Sequence, residues 1–95
     1  MKTISIIGVG NIAACLIHRL IESKTPVKIQ LYDMDINKNT HTRRKNLSFS
    51  VTIDSKISKS DMILLAVKPS QFSSLSEALS KYIKPKTIIV SLMAG

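Results

Sequence analysis

A short apolar run that ends at two glycines constrains the fold of this chain more than any other feature. Its residues, Ile4-Ser5-Ile6-Ile7, are β-branched at three of four positions and show no regular alternation, as is typical of a strand buried on both faces. Gly8 permits a tight turn after that strand, and Gly10 lets a ligand approach the backbone without meeting a Cβ atom. Helix-forming residues follow at once. The stretch predicts a strand, a turn and a helix of the nucleotide-binding type.

The residues after the turn favour a pyrophosphate site. Ala13 stands where a third glycine often stands and is small enough for the helix to pack on the strand. The free N–H groups of the helix would point at the phosphates, and the helix dipole favours their charge. Asp33 follows about 20 residues beyond Ala13, where an acid commonly binds a ribose. A glycine turn without a ligand is the alternative. The candidate residues are Gly8, Val9, Gly10, Asn11, Ile12, Ala13 and Asp33.

Length and composition limit what else the chain can be. Its 95 residues make at most one domain, and 44% of them are apolar, which suits a globular core. With one cysteine no intramolecular disulfide can form, so we expect a cytoplasmic protein. No apolar run approaches the roughly 20 residues of a membrane-spanning helix. A lipoprotein signal ending at Cys15 is the alternative for the N-terminus, but Gly8, Gly10 and Asn11 interrupt its apolar region.

The formal net charge of +8 raises the possibility of a nucleic-acid partner. The lysines are scattered, and Arg43-Arg44-Lys45 forms the only basic cluster. Aromatic residues make up 4% of the chain, too few for a base-stacking platform. We therefore expect general affinity for polyanions and no specific nucleic-acid partner.

Strands alternate with helical segments along the chain. We expect strands at residues 3–7, 27–32, 49–53, 62–67 and 87–92. We expect a helix after Gly10, with its buried face at Ile12, Ala13, Leu16, Ile17 and Leu20. Further along, we expect a weak helix at 37–46, a short connection at 54–60 and a helix at 71–83. This alternation predicts an α/β fold, a Rossmann-like parallel sheet of order 3-2-1-4-5 with helices on both faces. Gly8, Gly10 and Val67-Lys68-Pro69 would then lie at strand carboxyl ends and face one crevice.

Three motifs together resemble the N-terminal domain of pyrroline-5-carboxylate reductases over the whole chain. They are Ile7-Gly8-Val9-Gly10-Asn11-Ile12-Ala13, Leu65-Ala66-Val67-Lys68-Pro69-Ser70-Gln71 and Val90-Ser91-Leu92-Met93-Ala94-Gly95. The resemblance implies reduction of 1-pyrroline-5-carboxylate to proline by NADPH or NADH. It also implies that Gly8, Gly10, Asn11 and Ile12 cradle the pyrophosphate, that Ala66, Val67, Lys68 and Pro69 line the nicotinamide-side ribose, and that Ala94 approaches the nicotinamide. A plain strand-end lysine is the alternative for Lys68.

One departure from the family pattern bears on the cofactor. Asp33 stands where members that prefer NADPH often have a small hydroxyl or amide residue. A carboxylate there would accept hydrogen bonds from the ribose hydroxyls and repel a 2′-phosphate, which favours NADH. Lys38, Arg43 or Arg44 could still fold over such a phosphate. We therefore expect NAD(P)H, with NADH somewhat favoured.

The resemblance also implies a second, helical domain for substrate binding and dimerisation, and residues 1–95 do not contain one. We find no candidate catalytic acid, base or nucleophile and no metal site in these residues. The chain alone should bind nucleotide and catalyse little, because orienting a substrate needs the missing walls. The strand at 87–92 would be an apolar edge, which predicts self-association or a homo-oligomer.

Two other functions remain open at this point. One is a stand-alone nucleotide-binding module, or a truncated relic, without activity. The other is a relative in another reductase group with the same first domain, such as a coenzyme F420-dependent NADP reductase. Val67-Lys68-Pro69 argues against the second.

Overall fold

The central strand of the sheet is the apolar run that precedes the two glycines. The computed structural model describes residues 2–24, 26–39 and 46–92. Its elements are β1 (Lys2–Ile7), α1 (Asn11–Glu22), β2 (Val27–Tyr32), β3 (Leu47–Ser50), β4 (Met62–Leu65), α2 (Pro69–Tyr82) and β5 (Ile88–Ser91), with 3₁₀ turns at Ile36–Lys38 and Ser55–Lys59. None of the described helices is long and apolar enough to cross a membrane.

The five strands form one parallel sheet of order β3-β2-β1-β4-β5, which confirms the predicted topology. In the register, Ile7 at the end of β1 pairs with Tyr32 of β2 and Leu65 of β4. The carboxyl ends of the three central strands are therefore level. The strand order reverses at β1, since β2 and β4 flank it, and the crevice outside such a reversal is where ligands of open α/β sheets bind.

Each face of the sheet carries its own apolar core. On one face, Ala13 and Ile17 of α1 pack with Ile6, Ile29 and Leu31 of the strands. On the other face, Leu79 of α2 and Ile57 of the second 3₁₀ turn pack with residues of the sheet, Ile7, Tyr32, Ile63 and Leu65. Helices on both faces are thus confirmed. Ile12 departs from the predicted apolar face of α1, because this first-turn residue is 61% exposed.

Several predicted boundaries were wrong, and the backbone contacts explain why. β3 spans residues 47–50 instead of 49–53, since the Asp33 N–H bonds to the Ser50 carbonyl and the chain then leaves the sheet. The described part of the predicted helix at 37–46 is a 3₁₀ turn that ends at Lys38, and residues 40–45 lie outside the described ranges. α2 begins two residues earlier than predicted, at Pro69, because proline is favoured in the first turn of a helix.

A buried polar cluster crosses the second core. The Ser5 hydroxyl donates to Gln30 Oε1 at 3.0 Å and is also hydrogen-bonded to the Ser60 hydroxyl. The Tyr32 hydroxyl lies 3.4 Å from Gln30 Oε1. Burial raises the pKa of Tyr32 above its usual value. The neighbouring Asp54 carboxylate, which accepts a hydrogen bond from the hydroxyl, raises this pKa further. These contacts connect β1 and β2 to the segment that enters β4.

Candidate functional site

An open cleft of about 610 Å³ lies at the carboxyl ends of β1, β2 and β4. Five segments line it: the turn after β1, the end of β2 with the 3₁₀ turn that follows, the segment after β3, the end of β4, and one face of α2. The lining residues are Ile7, Gly8, Val9, Gly10, Tyr32, Asp33, Met34, Asp35, Lys38, Val51, Thr52, Ile53, Ala66, Val67, Lys68, Gln71, Ser74, Leu75 and Ala78. The two predicted motifs, the glycine turn and the end of β4, therefore share one crevice.

Gly8 is required by the fold itself. Its φ of +92° is a conformation that residues with a side chain rarely adopt. A Cβ atom at this position would lie 2.7 Å from the carbonyl oxygen of Ala66 and 2.9 Å from Cγ1 of Val67. The Gly8 N–H donates to the Tyr32 carbonyl at 2.7 Å. Gly8 therefore lets β1 turn while the end of β4 packs directly against its backbone.

Gly10 differs from Gly8, since nothing in the fold requires a glycine there. A Cβ atom at position 10 would meet nothing within 4 Å, and the φ of −94° is open to any residue. Gly10 is exposed and lines the cleft. The missing side chain leaves open space beside the turn, as close approach of a pyrophosphate would need.

The start of α1 presents unpaired main-chain donors next to Gly10. The first helical hydrogen bond runs from the Ala14 N–H to the Gly10 carbonyl at 2.9 Å, so the N–H groups of Asn11, Ile12 and Ala13 precede the helical ladder. Gly10 is the N-cap, no side chain caps the helix, and its first turn holds no acidic residue. The positive end of the α1 dipole therefore favours an anion here. The side chains of residues 11–13 do not line the cleft, and that of Ala13 is buried in the core.

Asp33 directly follows β2, and both of its carboxylate oxygens accept hydrogen bonds. Its Oδ2 accepts from the Val9 N–H at 2.8 Å, and its Oδ1 accepts from the Asp35 N–H at 2.9 Å. The sequence predicts Asp33 as a cleft residue, and the structure places it there. Its bond to the glycine turn is a contact that sequence reasoning missed.

The end of β4 supplies the other wall. Ala66, Val67 and Lys68 line the cleft, whereas Pro69 begins α2 and does not. The Lys68 N–H donates to Gln71 Oε1 at 3.2 Å, which fixes the start of α2, and the Lys68 side chain is exposed. Ala94, predicted near the nicotinamide, lies outside the described residues, as do Arg43 and Arg44.

Sequence reasoning missed two further parts of the lining. Val51, Thr52 and Ile53 were assigned to a strand but form a wall of the cleft. The other part is the face of α2 formed by residues 71, 74, 75 and 78. This spacing of i, i+3, i+4 and i+7 marks one helical face and could have revealed it.

The histidine and cysteine side chains that the structure describes, His18 and Cys15, do not line the cleft. Within residues 2–24, 26–39 and 46–92, no three histidine, cysteine or acidic side chains are placed to hold a metal ion. His18 contacts Glu22 at 2.9 Å on the exposed side of α1, and Cys15 is also exposed. No histidine or cysteine is among the described residues that line the cleft.

Comparison with known proteins identifies a family and several relatives of this chain. The family described as NADP oxidoreductase coenzyme F420-dependent matches residues 3–95. The chain is 30% identical over 93 residues to ComE operon protein 4 of Bacillus subtilis, an alignment that covers 94% of this chain and 34% of that protein. It is 30% identical over 99 residues to pyrroline-5-carboxylate reductase of Pseudomonas aeruginosa, with 97% and 34% covered. The chain thus spans about a third of the length of these curated relatives.

A solved pyrroline-5-carboxylate reductase is similar to this chain in both fold and sequence. Pyrroline-5-carboxylate reductase from Coxiella burnetii superposes with a TM-score of 0.85 at 26% identity, covering 99% of this chain and 36% of that one. The predicted resemblance is therefore confirmed. The F420-dependent group, named above as an alternative, appears in the description of the family whose model matches residues 3–95. The chain belongs to the family described as NADP oxidoreductase coenzyme F420-dependent, and it resembles the N-terminal NAD(P)-binding domain of pyrroline-5-carboxylate reductases.

Proposed function

We propose that this chain binds NADH or NADPH in the cleft and forms the cofactor domain of a reductase that converts 1-pyrroline-5-carboxylate to proline. The observation that carries the proposal is the open space at Gly10. This position needs no glycine for folding, yet its open space lies directly before the uncapped N-terminus of α1. A pyrophosphate placed there would accept hydrogen bonds from main-chain N–H groups and interact favourably with the helix dipole.

Each predicted residue then has a definite role. The N–H groups of Gly10, Asn11, Ile12 and Ala13 bind the pyrophosphate, while Gly8 and Val9 shape the turn. Asp33 accepts hydrogen bonds from the ribose hydroxyls through lone pairs that its two main-chain bonds leave free. Ala66, Val67 and Lys68 form the nicotinamide side of the cleft, with Pro69 directly after them at the start of α2, and the resemblance adds Ala94. When bound, the reduced nicotinamide supplies a hydride to the carbon of the substrate's C=N bond, and the nitrogen takes up a proton.

Catalysis needs more than residues 1–95. The described lining offers no histidine or cysteine to assist proton transfer, and the cleft is open to solvent. We propose that a helical second domain supplies the substrate pocket and a dimer interface. On this proposal residues 1–95 form a single domain that binds nucleotide and catalyses little by itself.

The charges around the ribose end favour NADH. Asp33 and Asp35 both line this part of the cleft, and a 2′-phosphate beside them would be repelled. Lys38 lines the same part and would attract a phosphate, so the preference over NADPH is modest.

A second candidate function is a nucleotide-binding module without catalysis. The observation in its favour is the same lack of histidine and cysteine in the described lining. The two candidates separate on activity: only the first predicts imine reduction once the chain is joined to a helical domain of a relative.

Two further proposals concern the setting of the domain. β5 pairs only with β4 among the described strands, and its residues Ile88 and Ile89 are 57% and 46% exposed. Such an apolar edge favours pairing with a second copy, so we propose self-association.

The single cysteine of the chain favours the cytoplasm as its location.

Calorimetric titration with NADH and with NADPH tests the proposed site. Gly10→Glu should abolish binding of both, because its side chain would fill the pyrophosphate space and add a negative charge. Ser80→Glu is the matched control, since it adds the same side chain at an exposed position of α2 outside the cleft. Equal binding by wild type and Gly10→Glu, or no binding by a folded wild type, would contradict the proposal.

A further inference from the structure

We infer that the Asp33 carboxylate holds the glycine loop, residues 8–10, in its binding conformation and therefore supports binding of NADH and NADPH alike. The inference rests on the proposed function. It assigns Asp33 a positioning role in addition to its expected discrimination between a ribose 2′-hydroxyl and a 2′-phosphate.

The first step is the hydrogen bonding of the loop. Gly8 is fixed by the bond of its N–H to the Tyr32 carbonyl and by its packing against Ala66. Val9 is fixed by its core side chain, 5% exposed, and by the bond from its N–H to Asp33 Oδ2 at 2.8 Å. Within the described ranges, Asp33 is the one side chain that hydrogen-bonds to the main chain of the glycine loop.

The second step is what lies beyond Val9. At Gly10 a Cβ atom would find no neighbour within 4 Å, and no side chain caps α1. The bond between Val9 and Asp33 is therefore the last side-chain contact before the residues that face the phosphates. Asp33 is itself held by the Asp35 N–H at 2.9 Å, so the loop is tied to a fixed strand end. A loop ordered before binding loses less conformational entropy when the ligand arrives.

The positioning role and discrimination alone predict different changes in NADPH affinity when Asp33 is replaced. If Asp33 only accepted hydrogen bonds from the ribose hydroxyls and repelled a 2′-phosphate, replacing it with alanine would weaken NADH binding and strengthen NADPH binding. If it also orders the loop, the same replacement weakens both, because both nucleotides place a pyrophosphate against the same N–H groups. The two roles thus predict opposite signs for NADPH. They are compatible in one residue, since a carboxylate oxygen can accept two hydrogen bonds.

The test measures NADH and NADPH affinity for wild type and Asp33→Ala. We expect the variant to bind NADH at least about tenfold more weakly, the size expected for one hydrogen bond to a charged group. NADPH should also bind more weakly, but by a smaller factor, because the lost repulsion offsets part of the effect. Tighter binding of NADPH by Asp33→Ala than by wild type would overturn the inference. Asp61→Ala is the matched control: it also removes a carboxylate that accepts a main-chain N–H, from Thr3 at 2.8 Å, but Asp61 does not line the cleft or contact the loop. It should change NADH affinity by no more than about threefold.

A nucleotide-free measurement keeps this test separate from the proposed function. Amide hydrogen exchange in Asp33→Ala should be faster than in wild type at Val9 and unchanged at Gly8, whose N–H bonds to Tyr32 instead. Unchanged exchange at Val9 would overturn the inference even if both nucleotides bind. If wild type binds neither nucleotide, the proposed function fails and the Val9 amide alone decides the positioning role.

A second variant covers the case in which Asp33→Ala does not fold. Asp33→Asn replaces the charged acceptor with a weaker, neutral one of the same size. Exchange at Val9 should then rise a few-fold while that at Gly8 stays constant. Equal Val9 exchange in wild type and Asp33→Asn would contradict the positioning role.

Discussion

The carbonyl oxygen of Ala66 lies 2.7 Å from the point that a Cβ atom on Gly8 would occupy. This contact joins the two motifs of the cleft, because Gly8 begins the turn after β1 and Ala66 follows the last residue of β4. The backbones of these segments can approach so closely only if position 8 has no side chain. The two glycines of the turn thus serve different ends: Gly8 serves the fold, and on our proposal Gly10 serves the ligand.

Alanine at these two positions should therefore have different effects on stability. Gly8→Ala should lower the free energy of unfolding by about 2–4 kcal/mol, from left-handed strain together with overpacking against Ala66 and Val67. Gly10→Ala should change it by less than about 1 kcal/mol, since the backbone angles and the space both suit alanine. Urea denaturation of the two variants measures this, and equal losses would show that the turn is less constrained than its contacts imply.

The buried polar cluster should be energetically coupled. Ser5→Ala removes the hydroxyl between Gln30 and Ser60 and should lower the free energy of unfolding by about 1–3 kcal/mol, because buried polar atoms lose a partner. A double-mutant cycle of Ser5→Ala with Ser60→Ala should give a coupling energy of at least about 0.5 kcal/mol. Ser58→Ala, at a hydroxyl that donates to the local Ser55 carbonyl, is the control. Strict additivity of Ser5→Ala and Ser60→Ala would mean that the cluster contributes little.

Tyr32 should make stability depend on pH in the alkaline range. Its pKa is raised in the folded state by burial and by Asp54, whereas in the unfolded chain it should ionise near a pH of about 10. Above that pH the unfolded state binds fewer protons than the folded state, so stability is fully present below pH ~10 and falls as the pH rises. The decline approaches about 1.4 kcal/mol per pH unit.

Denaturation of wild type and Tyr32→Phe between pH 8 and pH 11 isolates this effect, on a range set around the ordinary tyrosine value of about 10. The difference between their unfolding free energies should shrink as the pH rises, because only the wild type loses this contribution. A difference independent of pH would contradict a buried, protonated Tyr32.

Self-association through β5 should respond to a charge on its apolar edge. Sedimentation velocity at increasing concentration should show wild type forming a dimer or larger species, and Ile89→Lys should shift it towards the monomer. Ile36→Lys is the control, since Ile36 is 60% exposed but lies in a 3₁₀ turn away from this edge. A wild type that stays monomeric at high concentration would argue against the proposal.

The parts of the fold that were predictable rest on local backbone requirements. Gly8, the apolar strand before it and the alternation of strands with helices leave few topologies, and the sheet order follows from right-handed crossovers. Ala66, Val67 and Asp33 could be placed in the cleft because strand ends meet at one edge of a parallel sheet.

The missed features depend on contacts between residues far apart in the chain. Val51 has the β-branched side chain of a strand residue, but it lies beyond the last pairing of β3 and turns into the cleft. Ser5 sits in an apolar strand, and only the fold shows that Gln30 and Ser60 satisfy its hydroxyl. The bond from Val9 to Asp33 spans 24 residues and has no local signal.

The open space at Gly10 also bears on how this chain can change over generations. Folding tolerates many side chains at position 10 but resists any at position 8. A lineage that stopped using the nucleotide would therefore be free to substitute Gly10 while still retaining Gly8. In descendants of this chain, position 10 would report selection for binding separately from selection for folding.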